Sequence, residues 1–184
     1  MIGVLASGRG TNLQALLDQD LPVSAVASNV EGTQALERAA AHDIPSAVFR
    51  LADYDSRRNR DEAMADWLTA NGVELVVCAG YMHLLTKPFL DRFPCLNVHP
   101  SLLPDFPGSH AVEEALAAAA AETGVTVHFL DEGVDTGPVI AQEAVPIHPD
   151  DTPESLHARL QSVEHRLLPE TVRNYLAGAL RSAS

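Results

Sequence analysis

Short apolar runs alternate along the chain with longer segments that have a helical period. The apolar runs predict strands near Ile2–Ala6, Val23–Ser28, Ala47–Phe49, Leu75–Ala79, Leu96–His99, Val125–Leu130 and Val139–Val145. The other segments predict helices near Asn12–Asp18, Thr33–His42, Arg57–Asn71, Lys87–Arg92, Ala111–Ala121 and Pro153–Leu176. Strands that alternate with helices are typical of βαβ units. We therefore predict an α/β fold with a doubly wound, mostly parallel, Rossmann-like sheet of about seven strands.

The last predicted helix has the clearest boundary signals. Asp151 or Thr152 can cap it, and Pro153 suits its first turn. Its apolar stripe comprises Leu156, Leu160, Val163 and Leu167. The alanine run at 117–121 continues the preceding helix pattern, which we expect to end at Gly124.

Length and charge narrow the class of protein. A chain of 184 residues fits one domain, which we expect to span residues 1–184. Its 12 Lys and Arg against 25 Asp and Glu give a formal net charge of −13, and Lys87 is its only lysine. Such a chain has no basic stripe to neutralise a phosphate backbone. The charge therefore argues against a nucleic-acid partner and favours small ligands.

The cysteines and the other short motifs point to a cytoplasmic protein without metal. Cys78 and Cys95 lie in apolar runs, which favours buried, reduced thiols over a disulfide or a metal pair. No apolar run reaches the ~18–20 residues of a membrane span, and no basic region precedes the first strand. The chain has no His-Glu-x-x-His motif, no Cys-x-x-Cys motif and no carboxylate cluster, so we expect no metal and no membrane partner.

The loop after the first strand reads Ser7-Gly8-Arg9-Gly10-Thr11-Asn12. It joins a strand to a helix whose free N–H groups can bind an anion, and its glycines let the backbone approach closely. It is not a dinucleotide motif, because Leu13 stands where the third glycine belongs. Two interpretations stay open: a phosphate site, or a tight turn in which Thr11 or Asn12 caps the helix.

Asn97 and His99 stand two positions apart at the end of the fifth predicted strand. Their side chains therefore point the same way, past the strand end. An amide donor can bind the oxygen of a tetrahedral intermediate, and an imidazole beside it can move a proton. Acyl transfer to an amine needs both functions. The alternative is a polar strand end without a catalytic role.

Two further polar residues follow on the next strand and its loop. Asp135 sits in a Gly-flanked loop, where it either orients the His99 imidazole and keeps it protonated or is an ordinary turn aspartate. His128 alternates with Val127 and Phe129 on a strand. It either faces the site or is a buried, hydrogen-bonded histidine, and the pattern does not separate the two.

Three segments carry a resemblance to a known family. They read Ser7-Gly8-Arg9-Gly10-Thr11-Asn12-Leu13-Gln14, Leu96-Asn97-Val98-His99-Pro100-Ser101-Leu102-Leu103-Pro104, and Val127-His128-Phe129 leading to Asp135-Thr136-Gly137-Pro138-Val139. Together they resemble the phosphoribosylglycinamide formyltransferase family, a folate-dependent family of purine (IMP) biosynthesis. The second and third segments are shared across formyltransferases and indicate formyl transfer. The first segment narrows the resemblance to the enzymes that act on glycinamide ribonucleotide. The likeness runs through nearly the whole chain and implies the formyltransferase fold.

The resemblance implies transfer of a formyl group from the cosubstrate 10-formyltetrahydrofolate to the amine of glycinamide ribonucleotide. In that scheme Asn97 and His99 would stabilise the oxyanion, His99 would donate a proton, and Asp135 would favour the protonated imidazole. The ribonucleotide would contact Gly10, Thr11 and Asn12 through its phosphate, and Gln161 and Glu164 through its ribose and amine. The folate would lie against Arg57, Met82, His83, Leu84, Leu85 and the loop residues Asp131, Glu132, Gly133, Val134 and Asp135.

The resemblance also predicts a cis Leu103–Pro104 peptide bond. Two positions depart from the family, since His83 stands where arginine is frequent and Asp105 where lysine is frequent. Three alternatives are weighed: a formyltetrahydrofolate hydrolase (deformylase), a tRNA-formylating enzyme, and a non-catalytic folate-binding protein of the same fold. The acidic charge disfavours the tRNA enzyme, and the presence of the residues proposed for catalysis disfavours the non-catalytic protein. A homodimer is left open.

Overall fold

The computed structural model of the chain describes residues 1–179. In that range the strands are β1 (Ile2–Ala6), β2 (Val23–Ser28), β3 (Ser46–Val48), β4 (Leu75–Cys78), β5 (Cys95–His99), β6 (Glu122–Phe129) and β7 (Val139–Pro146). The helices are α1 (Thr11–Leu17), α2 (Gln34–Ala41), α3 (Arg57–Ala70), α4 (Lys87–Leu90), α5 (Ala111–Ala117) and α6 (Pro153–Leu176). A short 3-10 turn over Leu51–Asp53, which the sequence pattern did not predict, precedes α3.

The strands form a seven-stranded sheet in the order β3-β2-β1-β4-β5-β6-β7. The pairs β1–β2, β1–β4, β2–β3 and β4–β5 are parallel, and β6–β7 is antiparallel. This confirms the predicted α/β fold with its mostly parallel, doubly wound sheet. The predicted strands all form, because each apolar run is long enough to be buried as a strand and too short for a buried helix.

The chain is organised in two compact units, residues 1–97 and a second unit that begins at Val98. In the first unit β1 is buried at every position and pairs on both edges, with β2 and with β4. A parallel strand covered on both faces needs an unbroken apolar run, which Ile2–Ala6 supplies. The sequence pattern of this unit therefore reflects burial on both sides of its sheet.

In the second unit β6 and β7 form an antiparallel pair, and α6 packs against both strands. Thr152 caps α6 in a capping box with Ser155, and Pro153 occupies its first turn, as the sequence predicted. Asp151, the other candidate cap, instead binds Ser155 and Arg159. The apolar stripe of α6 is buried at Leu156, Leu160 and Leu167 and half-buried at Val163.

The predicted end of α5 is wrong. The helix ends at Ala117, Ala119 has a positive φ of 48°, and Gly124 lies inside β6. A Cβ at Gly124 would collide with the carbonyl oxygen of Glu143 and the side chain of Leu102. The glycine therefore serves the close approach of β6 to its neighbours, and the alanine run is divided between a helix end and the entry to a strand.

Both cysteines are buried and free. Burial raises the pKa of the Cys78 thiol to about 12 and raises the pKa of Cys95 well above its usual value. Each thiol therefore stays protonated at neutral pH, where the reactive thiolate is absent. The prediction of two buried, unpaired cysteines is confirmed.

Two features are absent from the described residues. No helix between residues 1 and 179 is long and apolar enough to cross a membrane. In the same part of the chain, no group of three or more His, Cys, Asp or Glu side chains is arranged to hold a metal ion.

Candidate active site

The first unit contains the switch in strand order, where β1 has β2 on one side and β4 on the other. The loops that leave β1 and β4 meet there. Ser7 donates its backbone N–H to the carbonyl of Gly80 at 3.1 Å, and its Oγ accepts from the backbone N–H of Met82 at 2.9 Å. Open α/β sheets bind their ligands at such a switch point, beyond the carboxyl ends of the strands.

Gly10 ends the loop after β1 and forms the N-cap of α1. Its backbone is left-handed, at φ 66° and ψ 31°, and no side chain caps the helix. A Cβ at this position would lie 2.7 Å from the Cα of Ala35. The prediction that Thr11 or Asn12 caps the helix is therefore wrong, because Gly10 occupies the cap position and both residues belong to α1.

We expect Gly10→Ala to lower the free energy of unfolding by at least about 2 kcal/mol, because the new side chain adds left-handed strain to a steric clash. Urea denaturation measures the effect. The matched control is Gly8→Ala in the same loop, since a Cβ at Gly8 meets nothing within 4 Å and its φ lies outside the left-handed region. That control should stay within about 0.5 kcal/mol of the wild type. Equal stability of the two variants would contradict the prediction.

The segment after β4 presents apolar side chains to solvent. Met82 is 70% exposed and Leu84 is 46% exposed, whereas Leu85 is buried at 8%. His83, which lies between Met82 and Leu84, is half-buried. Arg57, at the first position of α3, is exposed. Exposed large apolar side chains next to a switch point fit a ligand with an apolar ring system.

In the second unit His99 and Asp135 form a close pair. His99 ends β5 and its side chain is 6% exposed. Its Nδ1 lies 3.3 Å from Asp135 Oδ2, and its Nε2 lies 2.8 Å from the carbonyl oxygen of Phe106. Each ring nitrogen thus faces an acceptor, which suits the two N–H donors of an imidazolium.

His128 is a second imidazole on the same carboxylate, and its role was open at the sequence level. The side chain is fully buried, its Nε2 lies 3.5 Å from Asp135 Oδ1, and its Nδ1 lies 2.9 Å from the carbonyl oxygen of Phe129. Both earlier alternatives hold, because the residue is a buried, hydrogen-bonded histidine and also faces Asp135. Its position next to Phe129 on a strand was the one signal that could have suggested this.

Asp135 lies between these two imidazoles in a left-handed backbone conformation, with a φ of 54°. Its Oδ2 accepts from the backbone N–H of Gly108 at 2.8 Å. Burial acts to raise the pKa of Asp135. The hydrogen bonds from His128 and Gly108 and the charges of the two histidines outweigh it, so the pKa is lowered overall. Asp135 is therefore a carboxylate at neutral pH.

The Pro-rich loop between β5 and α5 supplies backbone groups to both members of the pair. It carries the Phe106 carbonyl that faces His99 and the Gly108 N–H that faces Asp135. Thr126 Oγ1 donates to the carbonyl of Ser101 at 2.7 Å and accepts from the N–H of Leu103 at 3.1 Å. The predicted cis Leu103–Pro104 bond is present in this loop. The loop is thus fixed to β6 by buried hydrogen bonds.

The remaining predicted site residues lie on three elements. Asn97 is half-buried on β5, and on α6 Glu164 is buried whereas Gln161 is half-buried. In the loop before Asp135, Asp131 Oδ1 accepts from the N–H of Gly133 at 3.0 Å and from Thr136 Oγ1 at 2.7 Å. Asp131 therefore shapes its own loop, and the exposed members of that loop include Glu132 and Val134.

A carboxylate that faces two buried imidazoles can hold and move a proton. Because Asp135 stays ionised, an adjacent His99 can carry a proton and release it to a leaving group. The arrangement is that of an acid–base site.

Comparison with known proteins connects this chain to a family. A family model described as formyl transferase matches residues 1–172. A phosphoribosylglycinamide formyltransferase of Haemophilus influenzae is 40% identical over 188 residues, covering 98% of this chain and 89% of the relative. The crystal structure of glycinamide ribonucleotide transformylase 1 from Symbiobacterium toebii has a TM-score of 0.95 at 45% identity, covering 100% of this chain and 90% of that one.

Another group of relatives is much longer than this chain. A trifunctional purine biosynthetic protein adenosine-3 of Drosophila pseudoobscura pseudoobscura is 44% identical over 193 residues, covering 100% of this chain. The chain spans only 14% of the length of that relative. The similarity therefore concerns one part of the trifunctional protein.

Proposed function

Because the chain belongs to the formyl transferase family, we propose that it transfers a formyl group from 10-formyltetrahydrofolate to the amine of glycinamide ribonucleotide, a step of purine biosynthesis. The observation that carries the proposal is the buried pair of His99 and Asp135, with Nδ1 3.3 Å from Oδ2. It supplies an acid–base group at the end of β5, where acyl transfer to an amine needs one. The family match over residues 1–172 supports the formyl transfer, and the similarity to phosphoribosylglycinamide formyltransferases supports the substrate class.

The folate supplies the formyl group, and the chain's own residues handle charge and protons. As the amine nitrogen bonds to the formyl carbon, negative charge grows on the formyl oxygen, where the Asn97 amide donates a hydrogen bond. The His99 ring donates a second one when its Nε2–H exchanges the Phe106 carbonyl for the substrate. His99 gives its proton to the folate nitrogen as the bond between carbon and that nitrogen breaks. The amine loses one proton to solvent in the same reaction, and His99 regains one from solvent for the next turnover. Asp135 is the positioning group that favours the protonated imidazole.

On the ribonucleotide side, the proposal assigns the phosphate to Gly10, Thr11 and Asn12. The chain is acidic, with a net charge of −13, so backbone N–H groups rather than a basic cluster would hold the phosphate. Gln161 and Glu164 would contact the ribose and the amine. Their spacing of three positions on α6 places them on one helix face.

On the folate side, the exposed Met82 and Leu84 fit the apolar surface of a ring system. The proposal adds Arg57, His83, Leu85 and the loop over Asp131, Glu132, Gly133, Val134 and Asp135. The buried Leu85 would contribute through its backbone, since its side chain belongs to the core of the first unit.

The proposal involves small-molecule partners and a cytoplasmic location, and it assigns no nucleic acid, membrane or metal. Every group in it belongs to one chain. It therefore does not depend on the homodimer that the sequence left open.

The test incubates the protein with a 10-formylfolate analogue, with and without glycinamide ribonucleotide, and follows release of the deformylated folate. We expect release only when the ribonucleotide is present, together with formation of the formylated amine. Release that is independent of the ribonucleotide would identify a hydrolase and overturn the transferase assignment. The absence of release under both conditions, with folate binding retained, would identify a non-catalytic folate-binding protein.

A further inference from the structure

A fully buried ion pair lies on α3, at residues to which the proposed function gives no role. Arg60 and Asp61 have no exposed side-chain surface, and Arg60 Nε donates to Asp61 Oδ1 at 2.6 Å. Asp61 Oδ2 accepts from the backbone N–H of Thr86 at 2.7 Å, so both carboxylate oxygens have a donor. A buried pair costs much desolvation, and such pairs persist where further partners satisfy their polar groups.

The guanidinium of Arg60 is turned towards the segment after β4. Its Nη1 lies 2.9 Å from His83 Nδ1, and its central carbon lies 5.9 Å from the centre of the Tyr81 ring. Beyond Asp61, the contacts of this buried cation therefore go to the segment whose exposed members include Met82 and Leu84.

In the hydrogen bond between Arg60 and His83, only Arg60 can be the donor. A guanidinium donates and never accepts, because it keeps its charge throughout the accessible pH range. His83 Nδ1 must therefore accept, which requires a neutral ring with its proton on Nε2. A proton on Nδ1, in the other tautomer or in the imidazolium, would place N–H against N–H at a separation of 2.9 Å.

The other groups that surround His83 come from three parts of the first unit. They are Arg60, Arg57 and Asp61 from α3, Asn29 from the end of β2, and the edge of the Tyr81 ring. Burial and the charges of Arg60 and Arg57 lower the pKa of His83, against an opposing effect of Asp61. The neutral ring is thus favoured by the surrounding charges as well as by the hydrogen bond.

The other ring nitrogen of His83, Nε2, lies near Asn29, which contacts the loop after β1. His83 Nε2 lies 3.3 Å from the side-chain nitrogen of Asn29, and Ser7 Oγ donates to Asn29 Oδ1 at 2.5 Å, so the neutral ring with its proton on Nε2 calls for the Asn29 amide turned end for end. An Nε2–H needs an acceptor, and the Asn29 amide supplies one when its oxygen faces His83, since the two ends of an amide have nearly the same shape. Its NH2 end then donates to Ser7 Oγ, which also accepts from the backbone N–H of Met82.

We propose that Arg60 is a positioning residue, which holds His83 as a neutral imidazole with its proton on Nε2 and so anchors the Met82–Leu85 segment for its folate ligand. The anchor joins α3, the end of β2 and the loops after β1 and β4 through one directed chain of hydrogen bonds. The folate part of this inference rests on the proposed function. The tautomer part does not, because it follows from Arg60 and His83 alone.

The first experiment records nitrogen-15 NMR spectra of the histidine rings of the intact chain at neutral pH. We expect an unprotonated Nδ1 and a protonated Nε2 for His83. His42 is the internal control, because its Nδ1 lies 2.9 Å from the carbonyl oxygen of Arg38 and should carry a proton. A His83 ring protonated on Nδ1, as tautomer or as imidazolium, would overturn the proposal whether or not the protein transfers formyl groups.

The second experiment measures KM for the formylfolate from about pH 7 down to about pH 4.5, because the pKa of His83 is lowered from the ordinary histidine value of about 6.5. Protonation of His83 breaks its contact with Arg60, so we expect the wild-type KM to rise about tenfold, the effect of losing roughly one hydrogen bond. In His83→Asn the side-chain oxygen replaces Nδ1 as the acceptor and does not titrate. The KM of this variant should therefore change less than about twofold across the same pH range. Parallel pH profiles of the two proteins would refute the anchoring role.

Discussion

Asp135→Asn is expected to lower kcat by about 10²–10⁴-fold and to change KM for either substrate only slightly. In the wild type the carboxylate faces a ring nitrogen of His99 at 3.3 Å and one of His128 at 3.5 Å. An asparagine keeps the shape but removes the charge, and its NH2 end would face one of the two rings as a donor. The protonated His99 is then no longer favoured when the leaving nitrogen needs its proton. Steady-state kinetics with both substrates measure the effect.

Asp150→Asn is the matched control, since Asp150 is exposed and lies before α6. It should leave kcat and KM unchanged. Circular dichroism should show that both variants fold, because the amide can still accept from the backbone N–H of Gly108. If Asp135→Asn kept wild-type turnover, the proposed role of the carboxylate would be refuted.

The lowered pKa of Asp135 adds a dependence of stability on pH. Its pKa in the folded chain lies below the value of about 3.9 expected for an unfolded chain. The carboxylate therefore stabilises the fold fully above about pH 4, and this contribution is lost as the pH falls through the lowered folded-state pKa. The stability advantage of the wild type over Asp135→Asn should accordingly shrink below about pH 4 in urea denaturation. A constant difference down to about pH 2 would contradict the assigned shift.

His99→Ala is expected to lower kcat by a comparable factor of about 10²–10⁴, because it removes the group that donates the proton. The lost interactions are made mainly in the transition state, so KM should change much less than kcat. Steady-state kinetics with both substrates measure the two constants separately.

His110→Ala is the control for this variant, since His110 is exposed at the N-terminus of α5 and lies outside the residues of the proposed site. Its kcat should match that of the wild type. A loss of activity in His99→Ala that appears entirely as a rise in KM would assign His99 to binding. That result would remove the acid–base step from the proposed mechanism.

Local sequence patterns were sufficient for most of the secondary structure. Short apolar runs identified the strands that lie within residues 1–179, and Thr152 with Pro153 marked the start of α6. The pattern failed at Gly124, where a glycine after an alanine run looks the same whether it ends a helix or makes room for a neighbouring strand. The Glu143 carbonyl and the Leu102 side chain, which decide between the two, are distant in sequence.

The residues of the candidate site were likewise predicted only in part from the sequence. The sequence placed Asn97, His99 and Asp135 at loop and strand ends, where functional side chains gather in an α/β sheet. It left His128 undecided, since alternation on a strand does not say what each face meets. It did not single out Arg60 and Asp61, because neighbouring charged residues on a helix usually lie in solvent.

The sequence by itself determined the order of the strands and helices along the chain, the cap at the start of α6, and the residue types available for acid–base chemistry. These depend on interactions within a few residues of each other. Only the tertiary structure decided which charges are buried and which donor faces which acceptor: Asp135 between two imidazoles, and Arg60 against His83. Burial and hydrogen-bond direction depend on residues brought together from distant parts of the chain, and those contacts set the protonation states on which the proposed chemistry depends.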